Sequence, residues 1–525
     1  MSAPGVVDRR GIAGAAALVA VGNVASRALG LVREAFIANR FGADGSVSAF
    51  RVANRTYNLL YELLIGGVMA SALVPVLSEY AEKDRLEYRR LLTSLSFVLL
   101  VIVGLALVAL EVAAPLAADA MGSGFGPELH ALTVEMLRVV FPAVLLMSLA
   151  GLLSAALYSL KRFLFPSFSA AIFNIGLIAG AVILAEQHRA VALAYGVLVG
   201  AAAQLLLQLV GLWRAGIRPA RCLLHPALKR ILLLALPILG SLAVGQAQVV
   251  IDSNLASRTG EQSLAWMANA TTLIQFPLGL VATAISVASL PQLARLALSD
   301  RDGHEFAATL AFGLRLVTLL ILPATAALVA IGAPLIELMF EHGAFTPADS
   351  VAVTAALHLY LLGLPAAALD QCLLMAFYAR GDTLRPALVG VAGVGIYLAV
   401  ALATMNSMGM LGLVLANSCQ WVGHLALMSW LAIRRLPALG AQPLIRPLAQ
   451  ALGASVGAFG AMALALQALG AATAWGLLGE LVRVAAPAVA GALTYVLLLR
   501  LSGNGDLDSA WQAFRGRLRP GSRAV

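Results

Sequence analysis

The sequence predicts an all-α polytopic membrane protein with 14 transmembrane helices, and three observations predict it. Of the 525 residues, 61% are hydrophobic and only 12% are charged, with a mean hydropathy of +0.91; a water-soluble domain has no use for so much apolar surface. The apolar residues fall into runs of about 20, the length that crosses a hydrocarbon core. The Lys and Arg residues gather in alternate loops, which is the pattern that orients membrane helices.

Scanned at that length, the chain has spans near 12–38, 46–78, 91–118, 131–158, 164–185, 189–213, 231–256, 266–294, 306–333, 350–378, 386–407, 409–433, 445–469 and 479–500. Arg9 and Arg10 precede the first, but no small-residue cleavage site follows a short apolar core, so it reads as a retained span and not a signal peptide. With both termini in the cytoplasm, 25 of the 35 Lys and Arg lie on that side, while Arg40, Arg189, Arg258 and Arg483 lie opposite. Such a bias requires an even number of spans. The net charge of +9 therefore serves orientation and attraction to anionic lipid, and no nucleic-acid partner is implied. The 48 glycines suit close helix packing in lipid. Cys222, Cys372 and Cys419 have neither metal nor disulfide spacing. The chain has no Walker loop, HExxH or strand-borne GxSxG. It reads as a transporter without catalytic residues, metal or cofactor, driven by a gradient or by the membrane potential.

An internal repeat is visible. Ala156-Leu157-Tyr158 followed by Pro166 matches Ala376-Phe377-Tyr378 followed by Pro386, and residues 34–42 (EAFIANRFG) match 252–260 (DSNLASRTG) at nearly the same offset. This divides the chain into a lobe at 1–215 holding spans 1–6, a lobe at 216–435 holding spans 7–12, spans 13 and 14 at 436–501, and a basic cytoplasmic tail at 502–525. Six spans per lobe give both lobes the same orientation, and substrate sites in such transporters lie where the repeats meet.

The first two spans carry the chemistry. Arg27, Arg33, Glu34, Arg51, Arg55 and Glu62 lie in segments expected in lipid, where each arginine costs about 2.5–3.5 kcal/mol at mid-membrane. Charge there is a functional-site hypothesis by default, and several cations facing one cavity point to an anion such as a phosphate-bearing lipid. On a straight helix Arg27 and Glu34 are nearly in line, and Arg33 needs a wide cavity to join them or a bend, which Gly30 offers. Arg51, Arg55 and Glu62 form a stripe on span 2 that Asn54 and Asn58 widen. Snorkelling and mutual Arg–Glu pairing are the competing explanation, strongest for Arg51 near its span's start. Asp252 in span 7 reads either as the partner of an arginine or of Ser253 or Asn254, or as the ligand of a coupling cation or proton. Asp370 and His358 in span 10 read as a proton relay or as a tie between helices.

Residues 26–53 (SRALGLVREAFIANRFGADGSVSAFRVA), MASALVPVLSEY, the stretch FPAVLLMSLAGLLSAALYSLKRFLFPSFSAAIFNIG, the stretch LRLVTLLILPATAALVAIGAPLIELMFEHGAFTPAD and YARGDTLRP resemble the MurJ/MviN lipid II flippases over spans 1–11. The resemblance implies the MOP-flippase fold, a central cationic cavity, and spans 13–14 lining a groove for the polyprenyl tail. It implies a bacterial inner-membrane protein that moves an undecaprenyl-diphosphate-linked peptidoglycan precursor outward. It further implies a monomeric transport unit with cell-wall synthesis partners, driven by the membrane potential, with Na+ or H+ coupling left open. Arg27 and Arg33 match the family's span-1 arginines, and Arg55 a common basic position of span 2. The sequence also departs from the family: Tyr61 and Thr272 stand where basic residues are usual, Gln275 and Ser48 where acidic ones are, and span 11 lacks the sodium ligands of some members. A flippase of another polyprenyl-linked glycan or anionic lipid, and a MATE-like exporter, remain as alternatives.

Overall fold

The computed structural model describes residues 9–66, 72–300, 303–470 and 476–506, and among them every regular element is a helix. Residues 507–525 of the basic tail, Arg301, and residues 67–71 of the second expected span lie outside the described residues. The chain divides into two compact units, residues 1–265 and 266–525.

Unit 1 contains α1 (Arg9–Phe41), α2 (Gly45–Tyr61), α3 (Val74–Lys83), α4 (Arg85–Gly122), α5 (Pro127–Ser159), the short α6 (Leu164–Ser167), α7 (Ser169–His188), α8 (Val191–Arg214) and α9 (Ala227–Arg258). At its centre is α5, which touches α2, α4 and α8 and buries Leu137, Phe141, Leu152 and Leu157. Tyr88 on α4 donates its hydroxyl proton to the Ala156 carbonyl at 2.9 Å, so a buried polar group is satisfied where two apolar helices meet. The outer face of α4 exposes Leu105, Val108, Val112 and Leu116. Large apolar chains in such a row have no reason to face water and mark a lipid-facing surface. At the basic end of the unit, Glu79 takes hydrogen bonds from Lys83 and from Arg230 of α9, each at 2.7 Å. The Lys83 bond first, then Arg230, holds its carboxyl below the usual carboxylate range.

The closest helix pair in unit 1 is made by glycine. Gly176 and Gly180 on α7 face Gly196 and Gly200 on α8, two four-residue spacings set against each other. A Cβ on Gly176 would stand 2.7 Å from the Gly200 Cα, and one on Gly200 2.6 Å from the Phe173 carbonyl oxygen.

Unit 2 contains α10 (Ser263–Pro277, whose first three residues belong to unit 1), α11 (Ala284–Ser299), α12 (His304–Phe340), α13 (Pro347–Ala379), α14 (Leu384–Met408), α15 (Met410–Arg435), the short α16 (Pro437–Gly440), α17 (Ile445–Ala468) and α18 (Leu477–Leu501). Here α13 is central, against α11, α12 and α15, while α17 and α18 pack on α12. Tyr495 closes that junction by donating to the Leu319 carbonyl at 2.7 Å over a core of Ala458, Met462 and Leu499. Arg315 on α12 binds Asp506, just beyond α18, at 3.0 Å.

The repeat is written in the turns. Both α5 and α13 are 33 residues long and open with proline, at Pro127 and Pro347. Both end in the same double hydrogen bond: Lys161 N to Tyr158 O and Arg162 N to Leu157 O in unit 1, Gly381 N to Tyr378 O and Asp382 N to Phe377 O in unit 2. The left-handed residue of that turn is Lys161 (φ 59) in one and Gly381 (φ 72) in the other. The α7–α8 and α14–α15 turns likewise hold Arg189 (φ 47, ψ −130) and Gly409 (φ 58, ψ −133). The second long helix of each repeat also widens into a π turn, at Glu62–Gly66 and Leu278–Thr283. The division into compact units falls later than the repeat boundary read at 215, because α9 is tied to unit 1 by its own ion pairs.

Among the described residues, 11 helices are long and apolar enough to cross a membrane. The further expected segments at 12–38, 46–78 and 231–256 fall on α1, on α2 through α3 and on α9.

Two outcomes are expected. Gly200→Val should cost about 1–3 kcal/mol through overpacking, read as a lower thermal midpoint of the detergent-solubilised protein. Arg189→Gly should raise that midpoint, because an L side chain at positive φ carries about 1–2 kcal/mol of strain against about 0.5–1 of glycine entropy.

Candidate functional site

The α1–α2 hairpin sets the geometry. Helix α1 runs from Arg9 to Phe41 without a break at Gly30, Gly42 turns the chain with φ 72, and Asp44 caps α2 by accepting from Val47 N at 3.1 Å. Glu34 sits about two turns before the end of α1 and Arg51 about two turns after the start of α2, so the hairpin brings them to one level. The Glu34 carboxylate, 2% exposed, takes a different guanidinium on each oxygen. Arg51 Nη2 donates to Oε2 at 2.5 Å, while Arg33 Nη2 and Nε donate to Oε1 at 2.6 and 3.1 Å.

Arg33 reaches Glu34 by curling around its own helix, which replaces the bend expected at Gly30. Its Nη1 donates to Asn174 Oδ1 of α7 at 2.9 Å, and Asn174 Nδ2 donates to the Ser26 carbonyl at 3.2 Å. A guanidinium has five N–H groups, so Arg33 keeps two beyond these three bonds. Its side chain is 25% exposed, against 7% for Arg51. Arg33 is therefore placed to meet a ligand. Arg51, expected among the ligand-binding cations, is instead buried on Glu34, as the pairing explanation has it.

Arg55 follows Arg51 by four residues and shares its face of α2. Its Nη1 donates to Asp252 Oδ2 on α9 at 3.0 Å and to Ser253 Oγ at 2.7 Å. Nε and Nη2 make no hydrogen bond among the described residues. Asp252 thus appears as an arginine's partner; a cation ligand there requires this pair to open. Asp252 and Glu34 occupy the same place in the repeat, and each holds an arginine of α2.

The remaining candidates divide. Arg27 is partly exposed and directly follows Ser26, whose carbonyl meets Asn174. Asn58 donates to the Asn54 carbonyl at 2.8 Å, bonding its own helix. Glu62 is exposed and forms no ion pair among the described residues; the π turn that begins there takes it out of the regular stripe. Gly66 makes room for it, since a Cβ there would lie 2.3 Å from Glu62 Oε2. In unit 2, Asp370 faces His424 of α15 at 2.9 Å, not the exposed His358. Sequence reasoning missed Asn174, and a lone asparagine within the apolar stretch of α7 is the available signal. Among the described residues, no group of three or more His, Cys, Asp and Glu is arranged to hold a metal ion.

Three guanidiniums and two carboxylates bond here, and Arg27 and Glu62 flank them. The constellation is an ordered one with a single surplus positive charge, not an open basic patch. It can accept a multivalent anion through the spare donors of Arg33 and Arg55.

Residues 37–485 match the family model described as lipid II flippase MurJ. A lipid II flippase MurJ of Burkholderia cenocepacia is 35% identical over 384 residues, covering 70% of this chain and 73% of that protein. A probable lipid II flippase MurJ of Rhizobium meliloti is 32% identical over 433 residues, covering 80% of each. Among solved structures, an inward closed lipid II flippase MurJ superposes with a TM-score of 0.76 at 20% identity, covering 96% of this chain and all of that one. An inward-facing MATE multidrug transporter of the MOP superfamily superposes with a TM-score of 0.67 at 13% identity, covering 80% and 96%. These two likenesses concern the fold alone.

Removing Glu34 takes an oppositely charged partner from the buried Arg51. Glu34→Ala should therefore cost about 3–5 kcal/mol, measured as a fall in the thermal midpoint of the solubilised chain.

Proposed function

Because the chain belongs to the lipid II flippase MurJ family, we propose that it carries lipid II, the undecaprenyl-diphosphate-linked peptidoglycan precursor, from the cytoplasmic to the outer leaflet by alternating access. The observation that carries the reading is the pair of half-used guanidiniums, Arg33 held by Glu34 and Asn174, and Arg55 held by Asp252 and Ser253. A diphosphate offers oxygens in the spacing that guanidiniums bind two at a time. The acids fix the fork of each arginine before the ligand arrives, which lowers the ordering cost of binding.

In this proposal the lipid tail stays in the bilayer while the headgroup crosses beside α1 and α2. The membrane potential drives export: two negative charges moving outward gain about 4.6 kcal/mol per 100 mV, at about 2.3 per charge, if the carrier returns uncompensated. A phosphate oxygen that takes Arg55 from Asp252 leaves that carboxylate to bind H+ or Na+, a route to ion coupling. The charge bias supports cytoplasmic termini, and the likeness to bacterial lipid II flippases supports the inner membrane as its location. One chain holds the whole constellation, which supports a monomeric transport unit beside its cell-wall synthesis partners. A MATE-like exporter of cations shares the fold, but arginines facing the cargo would repel it.

A leaflet-accessibility assay of lipid II in cells depleted of their own flippase tests the reading. The wild-type chain should restore outward exposure. Arg33→Ala and Arg55→Ala should each lower it about 30-fold or more, the equivalent of losing about 2 kcal/mol from a charged contact, with insertion into the membrane unchanged. Restored exposure by both variants refutes the arginine mechanism, and no exposure with the wild type refutes the substrate.

A further inference from the structure

The YARGDTLRP segment plays no part in the constellation of unit 1. It folds into the turn between α13 and α14, at the basic end of unit 2, and lines a cavity of about 430 Å³ together with the end of α15. Three arginines, Arg380, Arg385 and Arg435, and a single acid, Asp382, contribute the charge of that lining. Gly381, with φ 72, makes the turn that sets Arg380 and Asp382 side by side. Asp382 accepts from the Arg385 backbone N–H at 3.3 Å and pairs with its guanidinium. Arg380 Nη1 donates to the Arg435 carbonyl at 3.4 Å, and its guanidinium lies 5.8 Å from the centre of the Phe306 ring.

Capping of helix ends is the plain explanation for these cations, because α13 and α15 both finish here and each C-terminus carries about half a negative charge. It does not account for the total. Two C-termini and one carboxylate, set against three guanidiniums and the N-terminus of α14, leave a surplus of more than one positive charge. The surroundings specify the anion further. Leu384 and Leu388 on α14 and Ile433 on α15 are exposed beside the cavity, an apolar surface that suits acyl chains. Trp430 lies one turn back along α15 with the Arg434 guanidinium 4.2 Å from its ring centre, an arrangement typical of the headgroup layer. The repeat-equivalent turn in unit 1 holds a smaller space of about 200 Å³, and its Arg85 is spent on the carbonyls of Ala215 and Gly216.

We propose that the cavity formed by Arg380, Arg385 and Arg435 is a binding site for the phosphate of an anionic phospholipid, with its acyl chains along Leu384, Leu388 and Ile433. Basic pockets between membrane helices on the cytoplasmic side are suited to such headgroups. The site belongs to unit 2 and is independent of the flipping chemistry of unit 1.

The test uses the full chain in phosphatidylcholine vesicles that contain a photoactivatable phosphatidylglycerol. Label should enter peptides covering 376–388 and 430–436, and excess unlabelled phosphatidylglycerol should remove it while phosphatidylcholine does not. Arg385→Gln should weaken labelling about fivefold, and R380Q/R385Q/R435Q further, with rescue of flippase-depleted cells retained. If the triple variant does not fold, the wild-type label map decides alone. Label confined to other peptides, equal labelling by a phosphatidylcholine probe, or displacement by millimolar inorganic phosphate with no lipid preference each overturns the proposal.

Discussion

One carboxylate in a dry place governs the first unit. Glu34 is nearly inaccessible, and a buried carboxylate is tolerated only when its charge is matched. Here it is overmatched, by Arg51 from below on α2 and Arg33 from its own helix. The second guanidinium is what converts a structural ion pair into a site. Arg51 neutralises the acid and disappears into the packing, and Arg33 remains with donors to spare. The hairpin at Gly42 to Asp44 exists in this geometry because those three charges must meet.

Asp252 repeats the device with a different outcome. It stands at the position in the repeat that Glu34 occupies, and its arginine, Arg55, comes again from α2. Both first helices of the two repeats therefore converge on one helix of unit 1. This explains why α9, first in its repeat by sequence, groups with unit 1 in space. In the proposed mechanism anion binding and the α2–α9 contact share a single guanidinium, so a ligand that draws Arg55 away also loosens a helix junction. Such shared use of one group couples occupancy to conformation without a separate switch.

The repeat itself survives most clearly where backbone geometry leaves little choice. The residue pairs Lys161/Gly381 and Arg189/Gly409 have unlike side chains and nearly the same φ, because the turn and not the side chain decides the conformation. In the sequence that correspondence shows only as a short Ala-x-Tyr…Pro match. The same holds for the π turns at Glu62 and Leu278, which no hydrophobic pattern announces.

Hydropathy, loop charge and the family motifs in spans 1–11 are enough to establish a multi-helix membrane protein, because the bilayer imposes its demands residue by residue. They were also enough to single out Arg33 and Asp252, since a charge in lipid is costly wherever it points. They could not show which guanidiniums Glu34 takes, find Asn174, or decide whether Asp252 is a partner or a ligand. Those answers depend on which donor lies within 3 Å of which acceptor across 17, 141 or 197 residues of chain. Only the packing of α1, α2, α7 and α9 against one another sets those distances.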